Sequence, residues 1–312
     1  MAGPGADHQP SPSLSVRRGF GRRHWNQPIQ VPHPGRVAPW FARFVQYLLA
    51  PAVRLCHRPT LEGTQHLPTD RPYLLVANHS AGMGMAELEA FIVTYLRQVG
   101  PQRPLAGFVL PMDFQVFPFS LVARGIGAIP ATYEAARETL AAGVPILVFP
   151  GGDHESLKPL WQAHRVDFGG RLGFLRIAQE AGVPIVPMGI RGAHFTAPIL
   201  CRSRLLANLL VFPRFFGIRR WGISLLGAIV AGLLAWLVPG PWYLRAALVW
   251  LWLGSPVTFL AWIPWTIRFR IGAPLAAADL FGAPQAPCDP PDEAKLRQAL
   301  QRVQDAVQGL VD

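Results

Sequence analysis

Short apolar runs recur through the middle of the chain, each followed by a polar or Gly-rich break and then by apolar positions at helical spacing. Tyr73–Ala77, Ala106–Leu110, Ile126–Ile129, Ile146–Phe149 and Ile185–Pro187 have the length and bulk of buried strands. Glu87–Val99, Tyr133–Ala142 and Gly169–Ala181 read as helices between them. Two of these helices end on the same punctuation, Ala-Gly-Val-Pro-Ile at 142–146 and 181–185, a C-terminal glycine followed by entry into a buried strand. The alternation predicts an α/β domain over residues 58–218, with a central mixed, largely parallel sheet flanked by helices.

The flanks follow other patterns. Residues 1–37 are rich in Pro, Gly, Ser and Arg and predict a disordered basic arm. Over 38–57, Trp40, Phe41, Phe44, Val45, Tyr47, Leu48 and Leu49 recur at helical spacing, which predicts an amphipathic, membrane-facing helix. Within 219–267 only Arg245 interrupts the apolar sequence from Trp221 to Ile267. Trp221–Gly240 and Ala246–Trp265 each approach the length of about 20 residues that crosses a bilayer as helix, and Pro239-Gly240-Pro241 supplies a turn. An apolar hairpin, spanning or re-entrant, is therefore expected near the C-terminus. Arg219, Arg220, Arg268 and Arg270 would hold both of its ends on the cytoplasmic side. Residues 268–312 return to the domain, and Leu296, Leu300, Val303, Val307 and Leu310 mark one face of a final helix.

Composition sharpens this. With 29 Lys and Arg against 18 Asp and Glu in 312 residues the formal net charge is +11, which suits nucleic acid or an anionic membrane face equally well. The long apolar runs favour lipid, and the aromatics cluster in those runs rather than among basic residues, against nucleic-acid binding. Cys56, Cys201 and Cys288 are scattered and odd in number, so neither a disulfide framework nor a zinc site is indicated. No apolar core of signal-peptide length occurs in Met1–Pro39. The expected location is a membrane, with the catalytic domain on its cytoplasmic side.

Candidate chemistry gathers at two strand ends. Tyr73–Ala77 delivers Asn78, His79 and Ser80 into a Gly- and Met-containing loop, after which come Glu87 and Glu89. A histidine fixed by a strand end and a carboxylate returned by a turn form a base-plus-orienter pair. Phe149-Pro150-Gly151-Gly152-Asp153-His154-Glu155 follows another strand, where two glycines permit close approach of a substrate and their N–H groups can hold an anionic oxygen. Asp153, His154 and Glu155 are adjacent ligand types without a partner set, so no metal is expected. Arg165 and Arg171 stand among small and apolar residues as possible anion contacts.

The order of blocks is more specific than any one of them. Asn78-His79-Ser80, Gly125-Ile126-Gly127-Ala128-Ile129-Pro130, Phe149-Pro150-Gly151-Gly152-Asp153 and Val183-Pro184-Ile185-Val186-Pro187 together resemble the glycerolipid acyltransferase superfamily, which includes 1-acylglycerol-3-phosphate acyltransferases. The chain is most similar to its lysophospholipid and monoacylglycerol acyltransferase-like branch. The resemblance spans roughly 58–200 and resumes at Phe269–Pro274, where it implies a strand. It implies that His79 is a general base on an acceptor hydroxyl, assisted by a downstream acid. The usual position of that acid, five residues on, is Gly84 here. Glu87 suits the longer loop of the related branch. On a helix, two residues rotate a side chain by about 200°, so only one of Glu87 and Glu89 is expected to face His79. Many relatives acting on a phosphorylated acceptor carry Phe-Pro-Glu-Gly-Thr-Arg. Gly151, Gly152 and Asp153 replace that arrangement, and Arg124, Arg165 or Arg171 would have to supply the missing cation.

The expected function is O-acyl transfer from an acyl thioester (acyl-CoA or acyl-carrier protein, as co-substrate and not as bound cofactor) to the hydroxyl of a lysophospholipid, monoacylglycerol or diacylglycerol. His79 and Glu87 would be catalytic. Asn78, Ser80, Arg124, Phe149, Pro150, Gly151, Gly152, Asp153, Arg165 and Arg171 would contact substrate. The alternatives are a non-catalytic protein that binds anionic lipid, and an acyl thioesterase.

Overall fold

The computed structural model describes residues 29, 31, 33–80, 82, 85–210, 212–213, 218–282 and 292–312. In chain order, helix α1 (Pro39–Phe44) continues through a π-helical turn, Val45–Leu49, into α2 (Ala50–His57). Strand β1 (Thr60–Glu62) and strand β2 (Leu74–Ala77) precede helix α3 (Met85–Gln98). Next come β3 (Ala106–Val109), α4 (Phe119–Gly125), β4 (Ile129–Pro130), α5 (Tyr133–Ala141) and β5 (Ile146–Val148). A short α6 (Gly152–Ser156), α7 (Gly173–Ala181) and β6 (Ile185–Arg191) follow.

Seven strands form one sheet in the order β1-β9-β6-β2-β5-β3-β4, where β9 is Arg268–Ile271. β6, β2, β5, β3 and β4 pair in parallel, while β9 runs antiparallel to β6 and parallel to β1. The expected mixed, largely parallel sheet is thus present, and both of its faces are covered. Along β2, Leu75 and Ala77 pack with Phe41, Val53, Ala90 and Phe91 from α1, α2 and α3. Leu74 and Val76 face the other way, onto Leu140 of α5, Leu175 of α7 and Val303 of α12 (Glu293–Val311). Burial on both faces is why β2 reads as an unbroken apolar run instead of an alternation.

Two expectations change within this domain. Ile126 lies outside the fourth strand, which begins only at Ile129, because Gly125 closes α4 against the ring of Phe41 and Gly127 turns at φ +66°. Residues 1–28 of the expected arm lie outside the described residues, but its last part joins the fold. Gly35 donates to Gly127 O at 2.7 Å and accepts from Leu105 N at 3.1 Å, which ties residues 33–37 to the domain beside β3 and β4.

The apolar C-terminal region departs most from expectation. Trp221–Ser224 is strand β8, paired antiparallel with β7 (Ile199–Ser203), which is followed by α8 (Arg204–Leu209). Ser224 Oγ accepts from Gly227 N at 2.9 Å and so starts helix α9 (Leu225–Leu237) partway into the apolar run. Helix α10 (Trp242–Leu253) is stopped by Gly254-Ser255-Pro256. Helices of 13 and 12 residues reach about 20 and 18 Å, short of the roughly 30 Å hydrocarbon core. Among the described residues no helix is long and apolar enough to cross a membrane, so the expectation of a spanning helix is corrected. α11 (Ala277–Phe281) and α12 complete the chain.

Candidate active site

Strands β6, β2 and β5 lie side by side and parallel, so the loops leaving their carboxyl ends meet at one edge of the sheet. Asn78 ties the loop after β2 to the end of β6. Its side-chain amide donates to Ile190 O at 2.8 Å, and its carbonyl accepts from Ile190 N at 2.7 Å. His79 follows, with its ring stacked on Phe149 at 4.7 Å between centroids and 30° between planes. The first turn of α3 brings Glu87 back to the imidazole. Glu87 Oε1 accepts from His79 Nδ1, and Oε2 accepts from Ser80 N at 2.9 Å and Ser80 Oγ at 2.5 Å.

This arrangement defines the tautomer. With Nδ1–H committed to a carboxylate, the neutral ring carries its lone pair on Nε2, which makes no hydrogen bond among the described residues. Burial opposes charging of His79, but the Glu87 carboxylate outweighs it and raises the imidazole above its ordinary value. Glu89, two positions further along the helix, makes no hydrogen bond or ion pair with His79 among the described residues, and burial raises its carboxyl.

A second carboxylate, Glu155, lies behind the loop at 0% exposure. Its Oε2 accepts from the backbone N–H of His79 at 2.9 Å. Its Oε1 accepts from Asp167 N at 3.2 Å and faces Lys158 Nζ at 3.3 Å. Burial raises Glu155, an effect opposed by Lys158, and burial lowers Lys158. The two glycines of the loop answer to charged side chains folded over it. A Cβ on Gly151 would strike the Glu155 carboxylate, and one on Gly152, whose φ is +44°, would strike the Arg171 guanidinium. Sequence reading weighed Glu155 only as a metal ligand beside Asp153 and His154 and gave it no part at His79. The available signal was Lys158, three residues on and set among Leu157, Pro159 and Leu160.

An acyltransferase family model matches residues 58–191. Over that stretch, which is less than half of the chain, the sequence is similar to the acyltransferase family. An uncharacterized protein of Mycobacterium tuberculosis is 30% identical over 158 residues, 51% of this chain and 44% of that protein. A protein of Arabidopsis thaliana named phytyl ester synthase 2, chloroplastic, is 28% identical over 157 residues, 48% of this chain and 21% of that protein. The chain thus spans less than half the length of these curated relatives. A solved structure titled as the 1-acyl-sn-glycerophosphate (LPA) acyltransferase PlsC from Thermotoga maritima superposes with a TM-score of 0.45 at 16% identity, covering 86% of this chain and 79% of that one.

Within the matched stretch, the residues expected to touch substrate fall into two groups. His79 and Phe149 stand at the site, with the His79 side chain 17% exposed. Asn78 and Ser80 are buried, and their polar atoms are spent on Ile190 and Glu87, so neither side chain is exposed at the site. Arg171 donates to Pro150 O at 3.2 Å and pairs with Asp153 at 2.5 Å, which ties both charges into the loop. The Gly152 N–H, expected to be free for an anionic oxygen, donates to Phe149 O at 3.1 Å. Arg165 is exposed beside a cavity of about 120 Å³ that also takes in Lys158 and Arg202. Arg124 is exposed on α4 and makes no side-chain hydrogen bond or ion pair among the described residues. Of the arginines expected to supply a cation, Arg171 is thus committed to Asp153 and Arg124 is exposed without a partner among the described residues.

Proposed function

We propose that the chain transfers an acyl group from a thioester to the hydroxyl of a lipid, with His79 as general base. The observation that carries this reading is the Glu87–His79 contact in an acyltransferase domain. It leaves Nε2 as the basic atom at the end of a rigid strand. Nε2 removes the hydroxyl proton as the acceptor oxygen attacks the thioester carbonyl. The tetrahedral adduct collapses with loss of the C–S bond, and the imidazolium returns its proton to the leaving thiolate. Glu87 holds the ring and stabilises the imidazolium, the part an acid plays in a hydrolase triad. No protein nucleophile is required, because a thioester is already activated.

The neutral Phe-Pro-Gly-Gly loop, with Arg171 committed to Asp153, favours an uncharged acceptor: a monoacylglycerol, a diacylglycerol or, by likeness to a relative named for a phytyl ester, a long-chain alcohol. The acceptor is met at a lipid surface. Around the α9–α10 turn, Trp236 and Trp242 are 79% and 77% exposed. Arg245, the lone charge there, is turned onto Gly240 O at 2.9 Å and Ala235 O at 3.4 Å. The indole N–H groups of Trp250 and Trp252 donate to Leu209 O and Gly227 O, each at 3.0 Å. Polar groups satisfied internally and apolar faces turned outward suit insertion into one leaflet.

The deciding experiment supplies labelled acyl-CoA to wild type and His79→Ala with a panel of lysophospholipids, glycerides and long-chain alcohols. Wild type is expected to acylate a glyceride or alcohol and His79→Ala to lose that transfer. Full transfer by the mutant removes the base assignment, and free fatty acid released without any acceptor dependence makes the protein a thioesterase.

A further inference from the structure

A second cavity, of about 260 Å³, opens at the same edge of the sheet as His79, one strand away. Its walls include Arg191 at the end of β6, Arg268 at the start of β9, His164, Phe195 and Trp265. The neighbouring residue of β6, Ile190, is the one that the Asn78 amide clamps. The cavity and the catalytic loop therefore share one rigid support.

Its chemistry is unusual for a bare surface. Arg191 and Arg268 are directly opposite in an antiparallel pair, which places two guanidinium-bearing side chains on one face of the sheet. Like charges in that position cost stability. Arg191 donates to Val311 O at 3.0 Å and to Asp312 O, while the side chain of Arg268 makes no hydrogen bond or ion pair among the described residues. None of the lining side chains is acidic. Beside the two arginines, Trp265 stacks on Phe195 at 4.8 Å and 28° with 47% of its surface exposed, so one indole face stays open. The floor is a close crossing of backbones at Gly192, whose φ is +96° and whose Cβ, were there one, would strike Thr266 O.

Two cations answer phosphate, and an open indole face answers a flat ring. A lipid phosphate would engage the arginines and leave the aromatic platform idle. The volume falls below the range of about 300–1,000 Å³ for pockets that enclose a whole drug-sized ligand, so the cavity fits one end of a longer molecule.

We propose that this cavity holds the adenosine phosphate end of a coenzyme A thioester, with Arg191 and Arg268 on its phosphates and Trp265 against its base. The assignment rests on the reading of the chain as a thioester-dependent acyltransferase, and it selects acyl-CoA over an acyl-carrier protein as donor.

The test is calorimetric titration of the full chain with adenosine 3′,5′-bisphosphate, with inorganic phosphate and with glycerol 3-phosphate. The bisphosphate is expected to bind wild type and His79→Ala alike, and to bind Arg268→Gln and Trp265→Leu at least about tenfold more weakly. Both substituted side chains are exposed, and unchanged melting temperatures would show that the fold is kept. Binding of inorganic phosphate or glycerol 3-phosphate as tight as that of the bisphosphate, or bisphosphate binding untouched by either substitution, overturns the assignment. In kinetics, acyl-CoA is expected to show a lower KM than the matching acyl-pantetheine thioester, and Arg268→Gln to remove that advantage. Persistence of the advantage in Arg268→Gln also overturns it. Binding as expected without acylation of any acceptor would leave this assignment standing and remove the catalytic one.

Discussion

Glu155 Oε2 holds the backbone N–H of His79 at 2.9 Å, so the residue that presents the imidazole is gripped from behind by a fully buried carboxylate. His79 is thereby fixed twice, through its ring by Glu87 and through its main chain by Glu155. The two acids do different work, and substitution separates them.

Glu87→Gln keeps the shape but offers Nδ1 a weaker and ambiguous partner. The expected result is a fall in kcat of about two to four orders of magnitude, as when an orienting acid is neutralised. Glu89→Gln is expected to stay within a few-fold of wild type, since Glu89 does not reach the ring. Steady-state rates for the two variants check this, and a larger loss at Glu89 reverses the assignment.

The acid limb of the pH profile belongs to His79 in this scheme. A protonated imidazole accepts no proton, so activity is lost as pH falls through the His79 pKa. That pKa is raised by Glu87, so the half-maximal point is expected above the ordinary histidine value of about 6.5. In Glu87→Gln burial is opposed only by the Glu155 carboxylate, and the limb is expected to move to lower pH. A profile of kcat/KM for both proteins decides it.

Glu155→Gln leaves Lys158 buried without its counter-charge. Breaking such a pair costs about 3–5 kcal/mol, whereas replacing both members by apolar groups is often neutral. Urea denaturation is expected to show a large loss for Glu155→Gln and recovery in Glu155→Gln/Lys158→Met. Gly151→Ala, which adds a methyl group against the Glu155 carboxylate, is expected to lower stability and kcat together.

Trp236→Ser/Trp242→Ser tests the lipid surface. Burying each large apolar side chain is worth about 1.5–3 kcal/mol, so the double variant is expected to bind vesicles at least about a hundredfold more weakly. Flotation with phosphatidylcholine vesicles measures this, and unchanged flotation removes the insertion of the α9–α10 turn.

Much of the fold was legible where strands are buried on both faces. Leu74–Ala77, Ile146–Val148 and the first residues of β6 appear in the sequence as plain apolar runs. β1 was not legible because Thr-Leu-Glu shows one apolar residue between two polar ones, as an edge strand does. β8 was absorbed into the helix that follows, since Trp-Gly-Ile-Ser looks like the front of one apolar stretch until Ser224 is seen to cap α9. In the site, His79 and Glu87 were readable from strand, turn and helix spacing. Glu155 was not, because its burial depends on partners that only the fold supplies: a lysine one helical turn away, the N–H of a loop 76 residues earlier and another 12 residues later.

The place of β9 in the sheet carries a further consequence. β1, near residue 60, touches the sheet only through β9, near residue 270. During synthesis from the N-terminus, β1 therefore waits without a partner until about 200 more residues have been made. The α9–α10 pair leaves the ribosome before that closure. Its apolar faces therefore meet their surroundings while the sheet is still open, before β9 joins β1 to it.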